Sequence, residues 1–178
     1  EKGIDLTYCK TKLSVNDRSF LFSDAVYEVV AVYNKKLVYW NEHMYRLKRS
    51  LKELKINFIV NSNVLKIKTN EIIEKNFIKE GLIYIHISRG KGLRNHNWNS
   101  AITPSLVISG LHKNINLNQK PINLISSPDI RWKRCDIKSV SLLPNVMLKQ
   151  KAQENDAFEC VMIDNKGFVT EATTSNLW

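Results

Sequence analysis

Lys138 stands in "RWKRCDIKSVSLL", between Ile137 and an apolar run that includes Val140, Leu142 and Leu143. A lysine in that setting either snorkels to water on its aliphatic stem or sits in a dry place that lowers its pKa. In the second case the freed amine is a nucleophile able to form an imine with a carbonyl. Three further stretches carry groups of comparable interest. In "GFVTEATTSNLW", Glu171 follows a strand-like run and precedes a string of hydroxyl residues and an amide. A carboxylate there suits a ring nitrogen that must stay protonated, and the hydroxyls and amides suit an anion; a plain polar turn is the ordinary alternative. In "SRGKGLRNHNW", glycines after a strand lead to Arg94 and His96. That loop either offers two donors to a carboxylate or is a solvated basic hairpin tip. Tyr27, in "SDAVYEVV", and Arg46, in "NEHMYRLKRS", complete the set. Arg46 neighbours Leu47 at the edge of a helix's apolar face, where an ordinary surface arginine is the default.

These side chains need elements to hold them. "AVYEVVAVY" (25–33), "NKK" and "LVYW" read as a hairpin turning at Asn34 and Lys35. A helix follows, with Asn41 as its N-cap and Met44, Leu47, Leu51 and Leu54 at helical spacing. "VLKIKTNEIIEKNFI" predicts a second helix capped by Ser62 or Asn63. "LIYIHISRG", "SLVISGL" and "INLISS" predict three strands. "LPNVMLKQKAQEN" predicts a helix starting near Pro144, a residue well suited to a first turn. "FECVMID" and "FVTE" predict a strand pair joined by the turn from Asn165 to Gly167. Strands clustering around helices without regular βαβ alternation place the chain in the α+β class.

At 178 residues, 43% hydrophobic and 25% charged, the composition is that of a globular chain able to bury a core. No apolar run approaches the length of a bilayer span. Cys9, Cys135 and Cys160 are odd in number, far apart and outside CxxC spacing. They argue for a reducing, cytoplasmic setting and against both a disulfide framework and a metal site. The net charge of +10 comes mostly from lysines spread thinly along the chain. Without an Arg-rich arm or an RNP-like strand it reads as a solvated surface; a basic nucleic-acid-binding module is the non-enzyme alternative. The chain starts without methionine and ends on the apolar "TSNLW", so a piece of a longer protein is expected.

Taken together and in order, "DRSFLFSDAVYEVVAVYNKKLVYWNEHMYRLKRS", "SRGKGLRNH", "DIRWKRCDIKSVSLLPNV" and "GFVTEATTSNLW" resemble the fold-type IV pyridoxal-phosphate aminotransferases. Within that group they look most like the D-amino-acid aminotransferases. The resemblance implies a small N-terminal α+β domain over 1–115 and the start of a larger cofactor-binding domain over 116–178. It makes Lys138, and not Lys149 or Lys151, the lysine that forms a Schiff base with pyridoxal 5′-phosphate. It makes Arg46 a ligand of the cofactor's phosphate and Glu171 the partner of its pyridine nitrogen. Tyr27, Arg94 and His96 become a trap for the substrate's carboxylate, with the Arg94–His96 loop supplied by the neighbouring subunit of a homodimer. The implied reaction moves the amino group of a D-alanine-like amino acid to a 2-oxo acid such as 2-oxoglutarate. Branched-chain aminotransferases and aminodeoxychorismate lyase share the lysine and glutamate, and they are the enzymatic alternatives; they typically lack the "RNH" pattern. Ser23 and Ala25 depart from the family's usual "GDGV", and Ala172 stands where a glycine usually follows the glutamate. The last change predicts a shifted loop beside the ring, because glycine permits closer backbone approach. The resemblance also implies a further C-terminal stretch that completes the large domain.

Overall fold

The run of valines and tyrosines in 25–33 becomes β1 (Ala25–Tyr33), the strand on which the N-terminal half is built. This computed structural model describes residues 12–114 and 121–178; Cys9 and the 115/116 boundary lie outside the described residues. Strand alternation gives β1 two faces. Val26, Glu28, Val30 and Val32 are all fully buried on one, and Tyr27 lies on the other. β1 pairs antiparallel with β3 (Gly81–Ser88), which buries Ile83, Ile85 and Ile87 on the same side. β3 pairs in turn with β4 (Ser105–His112), and β2 (Lys36–Leu37) flanks β1, for a sheet order of β2-β1-β3-β4.

Asn34 and Lys35 both adopt left-handed backbone, as a tight hairpin turn requires. The second strand of that hairpin has only two residues, shorter than "LVYW" predicts. The chain turns at once at Tyr39, also left-handed, and enters α2 (Trp40–Glu53). Asn41 is therefore inside the helix, and Tyr39 is its N-cap without a side-chain bond. Met44, Leu47 and Leu51 face the valines and isoleucines of the sheet. Leu54, expected inside the helix, is its C-cap. α3 (Ser62–Lys75) is capped by Asn61 rather than by Ser62 or Asn63, because the Asn61 side chain accepts the Val64 amide. α1 (Arg18–Phe22) is an element the periodicity does not announce; Asp17 caps it by accepting from the Ser19 amide.

The second sheet has the order β5-β6-β7. β5 (Leu124–Pro128) and β6 (Glu159–Ile163) are parallel, so the intervening α4 (Leu143–Glu154) makes one βαβ crossover where no such alternation was expected. α4 and β6 bury Leu148, Ala152, Cys160 and Met162 together. β7 (Val169–Ala172) pairs antiparallel with β6 after a turn in which Gly167 has φ +86°. With an antiparallel sheet followed by a mixed one, the class is α+β as the sequence indicates. Between β5 and α4 the chain leaves the second sheet and reaches β1. There Ser139 bridges Val26, the Lys138 carbonyl accepts the Tyr27 amide at 3.0 Å, and the Ala25 carbonyl accepts the Val140 amide at 3.1 Å. That crossing segment ties the two sheets together and carries Lys138.

Candidate active site

Lys138 is half-buried between Ile137 and Ser139, both buried, and its own amide donates to Ser50 Oγ at 3.2 Å. Backbone bonds on both sides therefore fix where the side chain starts. Its Nζ donates to Tyr27 Oη at 3.3 Å and lies 4.5 Å from the centre of the Tyr27 ring. The stem packs and the amine faces a cleft of about 210 Å³ between the two sheets. Arg46, Glu171 and Tyr27 line the same cleft. Lys149 and Lys151 are not among its lining residues; Lys151 donates instead to Ser127 Oγ at 3.3 Å and Lys149 lies 3.6 Å from Glu159.

Arg46 is held from inside the protein. Its Nε and Nη2 donate to the two oxygens of Glu28, each at 2.7 Å, and His43 Nδ1 donates to Glu28 Oε2 at 2.7 Å. Glu28 is a carboxylate on the apolar face of β1, and α2 covers that face. A buried carboxylate needs a partner there, and His43 and Arg46, three residues apart, present two from one side of the helix. Burial pulls the Glu28 carboxyl's pKa up, and the bonds from Arg46 and His43 outweigh it, so the net displacement is downward. Glu28 in turn raises the Arg46 pKa.

Glu171 is half exposed on β7 and bonds to Arg131. Arg131 also forks onto Asp129, through Nε at 3.0 Å and Nη2 at 2.8 Å, and Thr170 Oγ1 donates to Asp129 at 2.7 Å. Arg131 holds the Asp129 carboxyl far below the usual carboxylate range. After Glu171 the hydroxyl stretch folds over a buried carboxylate. Thr174 Oγ1 and Ser175 Oγ donate to Glu159 Oε2 at 2.7 and 2.8 Å, and Asn145 Nδ2 donates to the Thr173 carbonyl at 2.9 Å. Thr173 is among the residues lining the cleft, and its Oγ1 is buried without a partner. Ala172 is an ordinary strand residue opposite Val161, without left-handed backbone, so an alanine sits there without backbone strain. Ser23 does adopt left-handed backbone, at φ 56°, in the place where the resemblance leads one to expect glycine.

Arg94 and His96 stand apart from this cleft. Both are exposed and lie beside the Phe22 ring, Arg94 Cζ at 5.6 Å and the His96 ring at 5.3 Å. Tyr27 and the two loop residues are thus not brought together within one chain. On the other side, Tyr27 stacks with His86, its register partner on β3, at 5.8 Å. Burial pushes the His86 imidazole's pKa down. Reading by motif misses Glu28, His43, Arg131 and Thr173. The one available signal was Glu28 itself, a lone carboxylate in a run of valines and tyrosines.

Residues 25–178 match the family described as amino-transferase class IV. The chain belongs to this family. Among class IV relatives, the D-alanine aminotransferase of Bacillus licheniformis is 39% identical over 168 residues, 93% of this chain and 59% of that protein. The D-alanine aminotransferase of Staphylococcus aureus (strain MSSA476) is 35% identical over 173 residues, 95% of this chain and 61% of that protein. The chain therefore spans about three-fifths of the length of these relatives. The branched-chain amino acid aminotransferase of Escherichia coli has the same fold, with a TM-score of 0.82 at 17% identity, over 94% of this chain and 60% of that one.

The cleft suits pyridoxal phosphate. It is lined by an amine, a guanidinium and a carboxylate from three separate elements, and Thr173 Oγ1 is a buried hydroxyl with its hydrogen-bonding capacity unspent.

Proposed function

We propose that the protein carrying this chain is a pyridoxal-phosphate-dependent transaminase. In this reading it moves the amino group of a D-alanine-like amino acid to a 2-oxo acid such as 2-oxoglutarate. The observation that carries it is the Lys138 amine, fixed at Tyr27 on the wall of a cleft shared with Arg46 and Glu171. The identity to D-alanine aminotransferases supports the choice of substrate over branched-chain L-amino acids, since the E. coli likeness is one of fold.

Pyridoxal phosphate, when bound, supplies the electron sink that stabilises negative charge at the substrate's Cα. Lys138 anchors that group and afterwards moves the Cα proton with its Nζ. Positioned proton transfer of this kind contributes roughly 10²–10⁴-fold to rate. Tyr27 accepts from the amine and keeps it aimed into the cleft. Arg46, already charged and braced on Glu28, turns its half-exposed guanidinium to a phosphate. Glu171 keeps a proton on the ring nitrogen, and Thr173 adds a hydroxyl. Arg94 and His96 bind the substrate carboxylate in the cleft of a second subunit, so the working form is a homodimer. Their position away from their own chain's Lys138 supports that arrangement. Two domains, 1–115 and 116–178, carry one sheet each. A cytoplasmic setting is supported by Cys135 and Cys160, both free thiols. No helix among the described residues is long and apolar enough to cross a membrane.

The test uses the whole protein with added pyridoxal phosphate. Visible absorbance from the bound cofactor should appear, vanish in Lys138→Ala, and be bleached by D-alanine but not by L-leucine. Bleaching by L-leucine alone would reject the D-amino-acid substrate and keep the chemistry. No absorbance in the unmutated protein would reject the reading altogether.

A further inference from the structure

The loop that carries Arg94 and His96 is held from beneath. Arg18, only 4% exposed, points its guanidinium at three consecutive carbonyls of that loop. Nη1 donates to the Asn95 carbonyl at 2.6 Å and reaches that of Asn97 at 3.5 Å, while Nη2 donates to the His96 carbonyl at 3.2 Å. Nε donates to Asp24 Oδ2 at 2.7 Å. Asp24 also receives a fork from Arg89, through Nε at 2.8 Å and Nη2 at 3.0 Å. Arg89 in turn lies 3.9 Å from the centre of the Trp98 ring, at the loop's far end. The Phe22 ring completes the seat: Arg18 Cζ lies 4.7 Å from its centre, and Arg94 and His96 pack beside it.

A buried guanidinium without acceptors is strongly unfavourable. The loop backbone therefore cannot lift away unless Arg18 loses three of its partners at once. Lysine could not replace it, because an ammonium is a point donor and lacks the planar fork that spans neighbouring carbonyls.

We propose that Arg18, anchored on Asp24, is a positioning residue that fixes the Arg94–His96 loop in the form that receives a substrate's carboxylate. The proposal deepens the transaminase reading and rests on it. It differs from a general role in folding because it confines the effect to one loop and to substrate affinity.

The experiment compares Arg18→Lys and Arg18→Gln with Arg94→Ala in the whole protein loaded with pyridoxal phosphate. Hydrogen exchange of the 93–98 backbone reads the clamp, and KM and kcat for D-alanine read its use. Both Arg18 variants should speed exchange in 93–98 while leaving β1 and β3 protected and the cofactor absorbance unchanged. KM should rise about ten- to a hundredfold, the scale of a small misplacement, with kcat little altered. Unchanged exchange in 93–98 would overturn the clamp. Faster exchange throughout, with loss of cofactor from the milder lysine variant, would overturn it too, by making Arg18 a general element of the fold. Faster loop exchange with KM unmoved would overturn the link to substrate. In that last case Arg94→Ala separates the two failures: a raised KM there keeps the transaminase loop and rejects Arg18's part in it. An unmoved KM rejects the loop's role itself.

Discussion

Glu28 shows how much of a site hangs on a residue that touches none of its contents. It is fully buried beneath α2, and all three of its bonds come from that helix. Replacing it with glutamine leaves Arg46 and His43 facing an amide that offers only one acceptor and adds donors of its own. Breaking such a pair costs about 2–5 kcal/mol, and the 44% exposure of Arg46 places this one near the lower end, about 2 kcal/mol. Glu28→Gln should lower the urea midpoint accordingly. The pH dependence carries the same signature. The folded-state value of Glu28 lies below its ordinary 4.5, so its contribution is complete above that pH and drains away as pH falls through the folded value. Acid unfolding of Glu28→Gln should therefore be less steep below pH 4.5 than that of the unmutated chain. Equal steepness would remove Glu28 from the account. Lys138, Tyr27, Arg46 and Glu171 are legible in the sequence because their neighbours form distinctive strings. Glu28 and Thr173 are not, since a carboxylate on an apolar face and an unpartnered hydroxyl acquire meaning only once the opposing element is in place.

Elements show the same division. Strands and long helices follow from composition and period, whereas their ends were decided by local geometry that spacing does not encode. Tyr39 displaced Asn41 as a cap because β2 stops after two residues, and α1 escaped notice because five residues are too few to display a period. Two glycines measure how tightly these junctions are built. Gly90, at φ +106°, lies two residues past β3, where a Cβ would lie 1.9 Å from the Thr103 carbonyl oxygen. Its own carbonyl accepts the Arg18 amide at 2.9 Å. Gly167, at φ +86°, has nothing within 4 Å of the same position. Gly167→Ala should cost about 1 kcal/mol, the backbone penalty alone. Gly90→Ala adds a collision with main chain and should exceed about 2 kcal/mol. Urea midpoints of the two variants check the order. Equal losses would show that the Gly90 junction yields freely, and with it the base of the Arg94–His96 loop.

At the scale of the molecule, the chain keeps the lysine and the proposed carboxylate trap in different places. Lys138 lies where the two sheets are stitched together, and Arg94 and His96 lie on the Phe22 seat. Within the sequence this separation is legible only through the family resemblance, because strings record order along the chain and not which copy of a loop a cleft receives. The separation has a consequence that subunit mixing can read. Lys138→Ala removes the amine from its own cleft and leaves an intact loop to lend; Arg94→Ala does the reverse. If the loop serves a neighbouring cleft, a hybrid dimer contains one cleft with both defects and one with neither. Random mixing makes half of the dimers hybrid, so the mixture should recover about a quarter of the unmutated protein's rate in the proposed D-alanine reaction. Each variant alone should show little. If the loop instead folds back on its own chain's cleft, no hybrid cleft is whole and mixing restores nothing. Recovery near a quarter would fix the dimer as the catalytic unit, and its absence would send Arg94 and His96 back to the surface of a single subunit.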